Sequence, residues 1–247
     1  MAIAFVQAKN NQAAPNSGVN NTVSITTTAG NLLVLMSYTD KASNLTPTIS
    51  DSASQTWTQA GSNPTVGNGI CTMWYMPNSA SVTSVSVAWA TYSGGATTSV
   101  VVFEFSGAAL STPLDSNASN PVTSSGAATA TSLASGSLST SNANDVLVYA
   151  VGENGNQSNS FTVGSGFTLP SGGQVATNGR AAMAYKIVAL TQSGATVTMS
   201  WSSNVGGDRL GILGAFADTN QGASFVFEDD SPPQFQPPPT EPIISVW

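Results

Sequence analysis

Runs of four to nine β-branched and aromatic residues, separated by clusters of Gly, Asn, Pro and Ser, recur along the whole chain, the pattern of strands joined by turns. They predict strands near residues 3–8, 22–27, 31–39, 55–60, 69–76, 82–90 and 98–106. A second set follows near 133–139, 145–152, 160–169, 181–190, 195–202 and 209–217. No segment sustains a helical period. Residues 31–39 and 145–152 are apolar on both parities, as a strand is when both faces are covered or when it lies centrally in a sandwich. By contrast, Val85, Val87 and Trp89 alternate with Ser84, Ser86 and Ala88, and Val197, Met199 and Trp201 alternate with Thr198 and Ser200. One face of each of these strands turns to a core, and Trp89 and Trp201 are expected there.

Laid over itself at a shift of about 111 residues, the chain repeats. Asn31-Leu-Leu-Val-Leu matches Asn144-Asp-Val-Leu-Val, Trp57-Thr matches Phe167-Thr, and Trp74 matches Tyr185. Val85-Ser-Val-Ala-Trp89 matches Val197-Thr-Met-Ser-Trp201, and Phe105 matches Phe216. The expectation is an all-β chain: a single two-sheet antiparallel β-sandwich of jelly-roll or lectin-like form, built by internal duplication. The sandwich occupies residues 1–218, with copies at about 3–114 and 115–218; two tandem sandwiches are the alternative. Residues 115–132 are rich in Ser, Thr, Ala and Asn and are expected to cross the surface between copies, with one weak strand in 107–132.

Residues 219–247 read as a last strand (Ala223-Ser-Phe-Val-Phe227), an acidic triplet (Glu228-Asp229-Asp230) and an extended arm. Six of the 13 prolines lie between Pro232 and Pro242, which favours a polyproline path over sheet pairing. The arm ends in Ile243-Ile-Ser-Val-Trp247. Phe235, Ile243, Ile244 and Trp247 are its expected anchors, on the same subunit or in a neighbour's groove.

Composition removes several function classes. Charged residues are 7% of the chain against a usual ~25%, so the exterior is neutral and polar. Histidine is absent, which excludes imidazole bases, Ser-His-Asp and Cys-His arrangements and His-bound zinc. The lone Cys71 reads as a small buried hydrophobe. The five cations (Lys9, Lys41, Arg180, Lys186, Arg209) are scattered and the net charge is −7, so no nucleic-acid partner is expected. No apolar run reaches the ~20 residues of a spanning helix, so no membrane partner is expected either. The N-terminus, Met-Ala-Ile-Ala-Phe-Val-Gln, lacks the basic and apolar regions of a secretory signal.

Two carboxylates can hydrolyse a glycosidic bond, but the E-x-D-x-x-E pattern of jelly-roll glucanases is missing. Glu104 stands alone in Val-Val-Val-Phe-Glu-Phe, matched by Ala215, and reads as a paired or partly exposed strand glutamate. Asp208-Arg209 reads as a local loop pair. The loop 153–159 and Asp40 with Asp51 offer oxygens, without the spacing of a calcium motif. Asn20, Asn44, Asn117 and Asn156 carry the N-x-[ST] pattern, which matters only in a secretory pathway. Tyr75 and Tyr92 are the candidates for sugar stacking, Tyr75 because its match to Lys186 predicts an outward ring. No catalytic, cofactor or metal residues are assigned, and an enzyme is not expected.

The succession Thr-Ala-Gly-Asn-Leu-Leu-Val, Trp-Thr, Trp-Tyr, V-x-V-x-W and Phe-Glu-Phe-Ser-Gly-Ala, then repeated, resembles the duplicated β-sandwich domains of bacterial surface proteins and of tailed-phage virions. The latter include jelly-roll head-decoration (cement) proteins. The resemblance covers about residues 20–217 and implies fold rather than individual functional residues. With the uncharged exterior, the missing signal and the arm, it implies a non-enzymatic virion structural protein of the capsid or tail. Its partners would be other virion proteins or identical subunits in a homo-oligomer, and its location the virion or the extracellular side. The rival expectation is a carbohydrate-binding or adhesion module, with a glycan as partner.

Overall fold

The computed structural model describes residues 2–13, 20–40, 46–89, 97–154, 160–164, 166–175, 180–202 and 207–219. Tyr92, the predicted last strand and the arm residues Phe235, Ile243, Ile244 and Trp247 lie outside them. The described residues are all-β, with antiparallel pairing throughout and no helix.

In the first half the strands are β1 (Ala4–Ala13), β2 (Asn20–Ser24), β3 (Leu32–Thr39), β4 (Thr48–Asp51), β5 (Thr58–Gln59), β6 (Thr65–Val66), β7 (Gly69–Met76), β8 (Ser84–Ala88) and β9 (Thr98–Ser106). In the second they are β10 (Val122–Gly126), β11 (Ser132–Ala134), β12 (Val146–Glu153), β13 (Phe161–Val163), β14 (Gln174–Val175), β15 (Arg180–Ile187), β16 (Thr198–Trp201) and β17 (Arg209–Phe216). The first half forms a large sheet in the order β1-β9-β3-β7-β5, with β6 also on β7, and a small sheet β2-β8-β4. The second half forms β10-β17-β12-β15-β14 and β11-β16-β13. The order is the same for the first four strands of each large sheet and throughout the small sheets. At the outer edge the place of β5 on Tyr75 is taken by the Thr168 bridge to Tyr185, and β14 pairs with Ala181 and Ala182.

The sandwich is therefore made of four sheets rather than two, stacked in four layers. One core lies between the two large sheets, where Val34, Met36, Met73, Phe103 and Phe105 meet Val148, Met183, Ile212 and Phe216. A second core lies under β2-β8-β4 and contains Leu33, Leu35, Val85, Val87 and Trp89. A third lies under β11-β16-β13 and contains Leu147, Tyr149, Val197, Met199 and Trp201. The physical reason is the double-sided hydrophobicity of the central strands. Every residue of β3, β12 and β17 is buried, and a sheet that is apolar on both faces needs a layer against each. The small sheets, with one apolar parity, supply the outer layers. Trp89 and Trp201 are core residues, as the alternation predicts.

Ladder register corrects the spacing read from the sequence. Thr58 pairs with Tyr75, and Thr168 bridges Tyr185, so Tyr75 and Tyr185 hold equivalent places, and Trp74 is equivalent to the buried Ala184. The sequence match of Trp74 to Tyr185 is one residue off, and in a strand one residue exchanges the two faces. Tyr75 consequently turns toward the second half, where its ring meets Phe216 edge-on at 5.6 Å. Beside it, Phe5 stacks on Tyr185 with ring centroids 4.6 Å apart, flanked by Phe103 and Phe105.

Three short strands, β4, β6 and β14, carry too few apolar residues to announce themselves. The weak strand expected in 107–132 is β10, an edge strand on β17.

Candidate functional site

The buried polar groups are built from turns upward. Glu104, toward the end of β9, is fully buried, and its carboxylate bonds to a neighbouring turn and strand. Its Oε1 accepts from the Thr28 backbone N–H (2.8 Å) and Asn31 Nδ2 (2.7 Å), and its Oε2 from Gln7 Nε2 (2.6 Å). It thereby pins the Thr28–Asn31 turn that enters β3. In the second half the corresponding turn is pinned from outside the strands, by the segment that joins the halves. Asp115 accepts from the backbone N–H groups of Asn117, Ser141 and Asn142 and from Asn142 Nδ2. Burial alone would raise its pKa, but these donors outweigh it and hold the carboxyl below the usual range.

Arg209 is the second centre, and the expected exposed Asp208-Arg209 pair is not formed. Arg209 is fully buried, 3.6 Å from Glu153 Oε2, with its guanidinium 5.4 Å from the Trp201 ring centroid. It donates to the carbonyls of Ala128, Ala130, Asn154, Gly207 and Asp208. Asp208 instead reaches the first half, where it accepts from the Gly69 N–H at 2.9 Å. The sequence could not show this, because strand register rather than adjacency puts Arg209 opposite Glu153.

Asp51 and Asp40 brace loops of the first half. Asp51 accepts from the N–H groups of Ala53 and Gln55, from Gln55 Nε2 and from Trp57 Nε1. Asp40 accepts from the Thr97 N–H. Among the described residues no three His, Cys, Asp or Glu side chains converge to hold a metal ion. Cys71 is buried, and burial pushes its thiol up to about 12, so it is an inert core residue.

A surface feature with ligand-like chemistry lies on the outer flank of the first half. A depression of about 360 Å³ is lined by Trp57 and Trp74 together with Pro47, Thr48, Ile49, Gln55 and Thr56. Trp57 is held by its bond to Asp51, and Trp74 donates to Thr72 Oγ1 at 3.2 Å. Trp74 is half-buried, whereas its equivalent Ala184 is sealed in the core, so the depression has no counterpart at Ala184. Sequence reasoning placed the aromatic platform at Tyr75 instead, because of the one-residue error in register. Tyr75 is half-buried between the halves and its hydroxyl bonds to Thr58. Comparison with family models, with curated proteins and with solved structures finds no match.

Proposed function

We propose that this chain is a non-enzymatic structural protein of a virion, a capsid decoration (cement) or tail component. It packs against other virion proteins or identical subunits through its sandwich surface and C-terminal arm. The observation that carries this reading is the use of the polar groups: the buried charges Glu104, Asp115, Glu153 and Arg209 hold turns and strand ends together. That is the economy of a scaffold built to be packed against, from an internally doubled strand unit. Thr219, from which the arm departs, lines a depression of about 270 Å³ with Leu110, Ser111 and Thr112, and Leu110 is exposed there. Deleting residues 229–247 is expected to leave the melting temperature of the sandwich unchanged while abolishing self-association or particle binding. Unchanged association by analytical ultracentrifugation would refute the role of the arm.

A second reading, carbohydrate binding, is favoured by the Trp57 and Trp74 depression. An indole face beside threonine hydroxyls suits the apolar face and hydroxyl rim of a neutral sugar. Titration with cellohexaose, chitohexaose and maltohexaose, followed by tryptophan fluorescence, tests it. Trp74→Ala is expected to weaken binding at least about tenfold, or ~1.4 kcal/mol. Absence of binding by all three, or binding indifferent to the substitution, would remove this reading.

A further inference from the structure

In each half, the turn that enters the central strand of the large sheet is held by a carboxylate, but the residue beside that carboxylate differs. Leu32 pairs with Phe105, and Val146 pairs with Phe216, so Asn31 and Asp145, each immediately before its strand, occupy equivalent places. Asn31 brings an N–H to Glu104. Asp145 instead brings a carboxyl group to Asp115, whose oxygens already accept from the Ser141 and Asn142 amides. Two carboxylates are both acceptors and cannot bond without a proton between them.

The surroundings of Asp145 supply no substitute for that proton. The residue is fully buried, and among the described residues neither of its side-chain oxygens has a donor. The charged groups that act on it are Asp115, from the segment joining the halves, and Asp218, just beyond β17. Both are negative. On the side of β15, the contact is made by the Val188 N–H, and it goes to the backbone carbonyl of Asp145.

We propose that Asp145 is a proton-binding site, loaded at neutral pH, whose O–H donates to Asp115 in the place the Asn31 amide fills in the first half. Release of the proton is then a switch that loosens the junction of the two halves. The junction is a defined structural unit: Asp115 N–H bonds to the Ala215 carbonyl, Ala109 N–H to Ala217, and Thr219 N–H to Gly107. The segment joining the halves is thus zipped to the end of β17, next to the root of the C-terminal arm. Three carboxylates brought together there without a proton repel one another, and the nearest release is to unzip this pairing.

Burial, then the charge of Asp115, its hydrogen bond and the charge of Asp218 push Asp145 from 3.8 up to about 8. A carboxyl whose folded value lies above its unfolded value binds more protons when folded. Its contribution is fully present below about 4 and declines until pH passes about 8. Asp115 works in the opposite direction, but only below its usual value. Within this window the equilibrium constant for unfolding rises by up to about tenfold per pH unit.

The test uses the full chain and Asp145→Asn, whose amide supplies a permanent donor. The wild type is expected to lose melting temperature as pH rises through the window and to level off above it. Asp145→Asn is expected to stay flat and to be the more stable form at the alkaline end. Difference infrared spectra at neutral pH should show a protonated-carboxyl C=O band that the variant lacks. A flat wild-type profile, the same slope in the variant, or no such band would overturn the proposal. So would stabilisation of the wild type by calcium chloride above the window that the variant does not share, which would mark a cation site.

Discussion

Replacing Arg209 by methionine is expected to destabilise the protein by ~3–5 kcal/mol, the usual cost of breaking a buried ion pair by removing one partner. For a chain of this size that corresponds to a fall in melting temperature on the order of 10 °C. Methionine fills much of the volume and keeps contact with the Trp201 ring, so the loss isolates the charge and the donors. Glu153 is left in a site without its cation at 3.6 Å, and the five carbonyls that Arg209 binds lose a donor that water cannot easily replace. Two of them, Ala128 and Ala130, belong to the polar linker, so proteolysis between β10 and β11 should appear before the large sheets open. Adding Glu153→Met to Arg209→Met is expected to recover part of the loss, since an uncompensated buried charge costs more than none. A single variant within ~1 kcal/mol of wild type by chemical denaturation would show that the pair is no keystone.

The second large effect is expected from Gly152→Ala, a change of one methyl group. Tyr38 pairs with Cys71, and Gly152 with Ala181, the residue equivalent to Cys71. Tyr38 and Gly152 are therefore counterparts in the two halves, and they pack on each other across the central core. A Cβ at Gly152 would overlap the Tyr38 ring and lie 2.9 Å from Tyr38 Cβ. Because the obstruction includes atoms next to the Tyr38 backbone, no rotation of a side-chain tip relieves it, and the two large sheets must part. Overpacking of this kind costs ~1–3 kcal/mol. Tyr38→Ala alone opens a cavity and is expected to cost ~3–5 kcal/mol. The double variant should be more stable than the sum of the two by at least ~1 kcal/mol, the coupling expected of touching residues. Strict additivity would mean that the halves do not meet at this point.

The pair also explains why equal topology does not mean interchangeable sequence. At a face where two halves of matching strand order meet, two tyrosines would collide and two glycines would leave a void. The large residue in one half and its absence in the other fill the space once. The same complementarity places Asn31 opposite a fixed carboxylate in the first half and a carboxylic acid, Asp145, in the second.

Much of the fold was legible because hydrophobic period is a local property. The alternation of Val85, Val87 and Trp89 marked an outer strand with one core face, and the two-sided apolar runs 31–39 and 145–152 marked strands covered on both faces. The number of layers was not legible there: the same runs fit the expected two-sheet sandwich, and the four sheets appear only in the structure. The candidate sites were less legible. Trp74 and Tyr75 are neighbours in sequence, and which of them faces the depression depends on a register that a shift of one residue reverses. Arg209 looked like the partner of Asp208 because they are adjacent, whereas the ladder sets it opposite Glu153.

The sequence by itself determined an all-β chain with one-sided outer strands, two-sided central ones, a neutral surface and no histidine chemistry. Each of these depends on residue type and on a spacing of one or two positions. Tertiary structure alone decided that the sheets stack in four layers, that Tyr38 rests on Gly152 and that Asp145 meets Asp115. Such contacts join residues far apart in the chain, and their energies arise from burial and from mutual geometry, which no local pattern encodes.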